Sequence, residues 1–176
     1  MKTTNIFFVT ILLLAVFSNK VSAQVSSTVS VKIATTIAIA KTGDMHFGSM
    51  NRPSTAASVT LTTSNTRQSS GDITLLSQAP VASPLTFSVI GDPGMYYAIT
   101  LPTSIVVSSG ISSNDMVIEN LMARPSSANT DQLIGVLNGG TGGNSDTFSV
   151  GGTLKLASSQ AAGSYTGSCN VTVAYY

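Results

Sequence analysis

From Ser164 to the chain end, polar and apolar side chains alternate. Tyr165, Gly167, Cys169, Val171, Val173 and Tyr175 fall on one face, opposed by Ser164, Thr166, Ser168, Asn170 and Thr172. Successive side chains of a strand point to opposite faces, so this period of two calls for a strand buried on one side. A slip of one residue would turn the whole apolar set to water. Val25, Val29, Val31 and Ile33 form a similar face, opposed by Ser26, Thr28, Ser30 and Lys32, with Ser27 as its polar break. Strands are predicted at 25–33, 37–41, 57–61, 73–76, 85–90, 96–101, 115–121, 133–137, 147–156 and 165–175. Between them, 64–71, Gly91-Asp92-Pro93-Gly94, 108–110 and 138–143 are rich in turn-forming residues. Many short strands at this spacing, with no amphipathic helical pattern, imply an all-β sandwich or barrel.

At the N-terminus, Lys2 precedes an apolar run from Ile6 to Phe17, and Val21-Ser22-Ala23 offers small residues before Gln24. The run of about twelve residues falls short of the roughly 20 that a membrane-spanning helix needs. Residues 1–23 therefore read as a signal peptide, and the exported chain is expected to start near Gln24 with no transmembrane segment. About 150 residues remain, enough for one domain with a real core.

The whole chain has 8 Lys plus Arg and 7 Asp plus Glu. Loss of Lys2 and Lys20 brings the net charge to about −1, without the basic patch that nucleic acid would need. Charged residues make up 9% of the chain. Ser, Thr, Asn and Gly must then supply the surface polarity, as in extracellular fibres and matrices, and equally in any Ser/Thr-rich secreted sandwich. Cys169 is the single cysteine, so no internal disulfide can form even in an oxidising compartment. On the apolar side of a strand its thiol reads as a small hydrophobe.

Little in the sequence supports an enzyme. His46 is the single histidine, flanked by Met45 and Phe47, so a metal site built on several histidines is excluded. A nucleophilic serine or Cys169 would have His46 as its sole histidine base, and no G-x-S-x-G elbow is present. Asp72, Asp92, Asp115, Glu119, Asp131 and Asp146 are scattered among turns, with no spacing that argues a glycosidase pair. The stretch from Asn138 to Asp146 holds oxygen donors and glycines but lacks the acidic spacing of a calcium loop, and no Lys-Ser or Lys-Thr follows to make it a phosphate loop. It reads as a hairpin connection. Asn170-Val171-Thr172 matches a glycosylation acceptor but lies within a predicted strand. No catalytic residue, cofactor or metal is expected.

The ending Gly163-Ser164-Tyr165-Thr166-Gly167-Ser168-Cys169-Asn170-Val171-Thr172-Val173-Ala174-Tyr175-Tyr176 resembles the terminal motif of chaperone–usher pilins, a glycine fourteenth from the end and a penultimate tyrosine. With Phe47-Gly48 and Gly151-Gly152-Thr153-Leu154, the pattern resembles a family of secreted bacterial proteins labelled as a domain of unknown function. That family is similar to the spore-coat-U-like pilins of the archaic chaperone–usher class. Many pilins of this type carry a disulfide; this chain cannot.

The resemblance implies an immunoglobulin-like antiparallel β-sandwich lacking its last strand, completed by the N-terminal extension of the next subunit. On this basis residues 24–34 form a donor-like strand with Val25, Val29, Val31 and Ile33 as its plugs, and 35–176 form the domain. Gly163, Tyr165, Gly167, Cys169, Val171, Val173 and Tyr175 would border the acceptor edge and meet the chaperone or the neighbour. The implied partners are copies of the chain itself in a filament, a periplasmic chaperone and an outer-membrane usher. The location would be the periplasm and then a cell-surface fimbrium or the extracellular space.

Burying four Val or Ile side chains is worth about 6 to 12 kcal/mol as an upper bound. That rivals the roughly 5 to 15 kcal/mol stability of an ordinary domain, so such a strand would not be optional. The alternative is a self-contained secreted sandwich, an adhesin or matrix protein, in which residues 25–33 fold back as an ordinary first strand.

Overall fold

The computed structural model describes residues 24–176. The signal peptide expected at 1–23 lies outside the described residues. The chain divides into two units between Ile33 and Ala34. In the first, residues 24–33 form no strand. Val25, Val29, Val31 and Ile33 are 92, 87, 84 and 89% exposed. The strand expected there is thus not formed: alternation supplies an apolar face, but a strand also needs a partner for its backbone groups.

The second unit is built of ten strands: β1 (Ala38–Gly43), β2 (Ala57–Leu61), β3 (Arg67–Ser70), β4 (Leu85–Ile90), β5 (Tyr96–Thr100), β6 (Ser104–Val107), β7 (Met116–Pro125), β8 (Ile134–Val136), β9 (Ser145–Leu156) and β10 (Thr172–Tyr175). A single 3-10 turn, Ser112–Asn114, is the one helical element among the described residues. Every strand pairing is antiparallel. The fold is all-β and sandwich-like.

The long strand β9 organises the larger sheet. Val150 pairs with Leu85 of β4 and Ala123 of β7, while Lys155 pairs with Ser58 of β2 and Val117 of β7. β7 therefore follows one edge of β9, and β4 and β2 succeed each other along the other. β1 adds to β4, β3 to β2 and β6 to β7, giving seven strands. β10, β5 and β8 form the smaller sheet.

Asn120, with φ of 52°, sits in a bulge between Glu119 and Met122 that shifts the phase of β7. Met116 and Ile118 point inward before it, Ala123 and Pro125 after it. Such an inserted residue re-aims a strand without breaking the ladder beyond it.

Two apolar clusters fill the interior. In one, Phe87, Val89, Phe148 and Val150 of the larger sheet meet Tyr97 and Ile99 of the smaller, with Phe87 and Phe148 stacked at a centroid distance of 5.0 Å. At its rim Asp146 is buried but well supplied with donors. It accepts from the hydroxyls of Tyr97 (2.9 Å), Ser126 (2.5 Å) and Ser127 (2.6 Å) and from the Thr147 amide (2.8 Å). Burial first, and then the hydrogen bond to Asp146, hold the Tyr97 hydroxyl proton well above its ordinary pKa. Gly135 makes room for this tyrosine, because a Cβ there would lie 2.5 Å from its ring and hydroxyl.

The second cluster joins Ala57, Val59, Ile73, Ile105, Val107, Met116, Ile118, Leu154 and Leu156. These come from β2, β6, β7 and β9, all in the larger sheet, apart from Ile73, so the smaller sheet does not cover this half of the core.

Three further predicted elements are corrected, and one strand is found where none was predicted. Residues 64–71, read as a turn, contain β3; 104–107, assigned to no element, form β6. The segment 73–76 contributes only a bridge from Leu75 to Met50. The expected strand at 165–175 is regular only over β10, preceded by one bridge from Thr166 to Ser108.

Candidate functional site

The half of the core left uncovered by the smaller sheet lies beneath a groove of about 550 Å³. Its floor is the second cluster, with Ile105, Val107, Met116, Ile118, Leu154 and Leu156. One wall is the chain after β1, from Met45 to Pro53; the other runs from Gln160 to Cys169, just before β10. β1 pairs only with β4, and β10 only with β5, so both strands that lead into the groove keep one unpaired edge. Unpaired strand edges beside an apolar floor are the geometry that accepts an added strand.

The first wall is held by isolated contacts instead of a ladder. His46 exchanges backbone hydrogen bonds with Ser83 (2.8 and 2.9 Å), Leu76 donates to Ser49 O (2.9 Å), and Asn51 donates to Thr74 O (3.1 Å). Met45, Phe47 and Met50 pack against the second cluster but remain half-buried.

On the other wall, the Ser108 amide donates to Thr166 O (2.8 Å) and the Thr166 amide to Ser108 O (3.0 Å), holding the segment to the end of β6. Gly167 permits that approach: a Cβ there would lie 2.9 Å from Val107 Cγ1 and closer still to the carbonyl oxygen of Val106. Polar contacts close the groove at one end. Buried Gln160 donates to Asn114 O (2.5 Å) and to the Tyr165 hydroxyl (3.1 Å), which in turn donates to Ala161 O (2.8 Å).

The acceptor-edge residues separate into two sets. Gly163, Tyr165, Gly167 and Cys169 line the groove. Val171, Val173 and Tyr175 do not; they pack on the first cluster, where Ile37 and Ile39 also lie. The Tyr175 hydroxyl accepts from the Asp92 amide (2.8 Å) beside Gly91, where a Cβ would lie 2.5 Å from that oxygen. Cys169 touches both clusters, and burial pushes its thiol pKa up, which favours the neutral, unreactive form.

Sequence reasoning missed Met45 and Met50 as groove wall, and it missed Arg67. The signal available was the i, i+2 spacing of Met45 and Phe47, interrupted at Gly48, whose φ is 77°.

Among the described residues, no three His, Cys, Asp or Glu are grouped so as to hold a metal ion. Among them, too, no helix is long and apolar enough to cross a membrane. Asp92 accepts from the amide (3.1 Å) and hydroxyl (2.6 Å) of Thr35, a structural tie just after the boundary between the two units.

A sandwich-like, all-antiparallel protein with an apolar-floored groove, whose two walls continue into strands that each keep an unpaired edge, is the class that fold and site define. Within that class, the chain belongs to the family described as Domain of unknown function (DUF4402), whose model matches residues 37–175. No curated protein and no solved structure is significantly similar to it. Both groove walls lie inside the matched span; Val25, Val29, Val31 and Ile33 lie before it.

Proposed function

We propose that the protein is a structural subunit of a bacterial surface fibre that polymerises by donor-strand exchange, residues 24–34 of one copy filling the groove of the next. The observation that carries this reading is the groove itself, with an apolar floor and walls that continue into two strands with unpaired edges, in a chain that also carries an exposed, alternating apolar segment. A strand rises about 3.3 Å per residue, so the wall from Gly163 to Cys169 is roughly 20 Å long and residues 25–33, at about 30 Å, can cover it. Added main-chain hydrogen bonds would supply affinity and alternate side chains specificity. Head-to-tail donation does not close on itself, so repetition yields a filament.

The joint before β1 favours donation over retention. To lie antiparallel beside β1 in its own domain, the segment would have to reverse within Ala34-Thr35-Thr36, which contains none of the Gly, Asn, Asp or Pro that tight hairpins use. Thr35 is also tied to Asp92. Export, chaperone and usher enter the reading through the leader-like residues 1–23 and the pilin-like ending; a subunit with an empty groove would need a chaperone.

The test compares the chain from Gln24 with one shortened to begin at Ala34. Denaturant-resistant ladders are expected from the first and not from the second. An intact chain that stays monomeric at high concentration, with a shortened form that merely unfolds, would defeat the fibre reading in favour of a self-contained sandwich.

A further inference from the structure

Arg67 lies on β3, away from the groove floor, yet its guanidinium reaches the groove wall. Nη1 donates to the carbonyl oxygens of Phe47 (3.1 Å) and Ser49 (3.3 Å), and Nη2 donates to that of Leu76 (2.9 Å). A planar fork of charged donors binds such diverging acceptors more strongly than neutral groups do, and lysine cannot reproduce the arrangement. Gly48 makes room for it. Its φ is 77°, and a Cβ there would sit 2.5 Å from Nη1.

The contact matters because of where it falls. Between the bridges His46 to Ser83 and Met50 to Leu75, the wall has no regular ladder, and Arg67 takes up two carbonyls in that gap. Phe47, between Met45 and Gly48, packs on the groove floor cluster and lines the groove.

We propose that Arg67 is the positioning residue of the groove: by clamping Phe47 and Ser49 from outside, it fixes the wall and so sets the width into which a donated strand of a second copy fits. This rests on the fibre reading above. Without the clamp Phe47 loses the hydrogen bond to its carbonyl, Ser49 keeps only its ties to Leu76 (2.9 Å) and Ala79 (2.9 Å), and the wall at Phe47 can settle onto the floor, so that the strand-accepting geometry is lost while the two core clusters remain.

The test uses the chain from Gln24 at a concentration low enough to keep it monomeric, titrated with a fluorescent peptide of residues 24–34. Arg67→Met is expected to weaken peptide binding at least about tenfold, and Arg67→Lys to rescue it only in part. Gly48→Ala, which pushes on the same guanidinium from the other side, should reproduce the loss if Arg67→Met fails to fold. Val89→Ala, in the first core cluster away from the groove, is the stability control. It should lower the urea midpoint and leave peptide affinity unchanged. Unchanged affinity in both Arg67→Met and Gly48→Ala, or a loss no greater than in Val89→Ala, would reduce Arg67 to a structural residue and overturn the inference with the fibre reading intact. A parent chain that binds no peptide would overturn both.

Discussion

Replacing Val29 and Val31 together by aspartate is expected to abolish assembly while leaving each subunit folded. Both side chains are exposed in the first unit, at 87 and 84%, so the substitution takes nothing from the packed core. In an assembled groove the apolar face would lie over the floor of Ile105, Ile118 and Leu154, none of which can pair with a carboxylate. Burying an unpaired polar or charged group costs at least about 2 kcal/mol each even after relaxation, so two of them lower the association constant by roughly a thousandfold or more. Ser26→Asp with Thr28→Asp, on the opposite face of the segment, should assemble nearly as the parent does. Light scattering over a concentration series reads both. Equal polymer from the two double variants would mean that the apolar face is not what docks.

The second large effect falls on the acceptor wall. Gly167→Val is expected to lower the unfolding free energy by about 2 to 4 kcal/mol, shifting the urea midpoint down by roughly 1 to 2 M. The reason is steric. A Cβ at this position meets Val107 Cγ1 at 2.9 Å and the backbone of Val106 still more closely, and a backbone strand cannot step aside as a flexible side chain can. The segment would have to leave β6, breaking both hydrogen bonds between Thr166 and Ser108 and carrying Tyr165 and Cys169 off the groove floor. Ser168→Val, one residue on and on the exposed face, should be close to neutral. A Gly167→Val protein as stable as the parent would show that this wall is not held against β6.

How far the residues alone foretold the fold depended on how much each segment buries. β2 and β4 match their predicted limits, because Ala57, Val59 and Leu61, like Leu85, Phe87 and Val89, alternate with polar residues and lie in the core. β3 escaped because Arg67-Gln68-Ser69-Ser70 is polar on both faces; it is a sheet edge, exposed at three of four positions, and its sequence reads as a turn. β6 escaped because it is four residues long and turns only Ile105 and Val107 inward.

The clearest alternation belongs to the least regular strands. Residues 25–33 and 163–171 both carry the pattern of a half-buried strand, yet the first forms none and the second makes one bridge. Alternation reports which face of a strand would be buried, but it does not name the strand alongside. The Arg67 clamp was illegible for a different reason. It joins β3 to Phe47, Ser49 and Leu76 through main-chain carbonyls, which leave no mark on residue type.

The most direct test of donation uses the one native thiol. Cys169 lines the groove, and no other cysteine can compete. Single substitutions Val25→Cys, Val29→Cys, Val31→Cys and Ile33→Cys in the chain from Gln24, oxidised after assembly and resolved under non-reducing denaturing conditions, place the segment relative to Cys169. The account predicts disulfide-linked ladders from at least one of the four, lost when Cys169 is changed to Ala. Monomers with an internal disulfide, and no ladder from any variant, would place each segment in its own groove and contradict it.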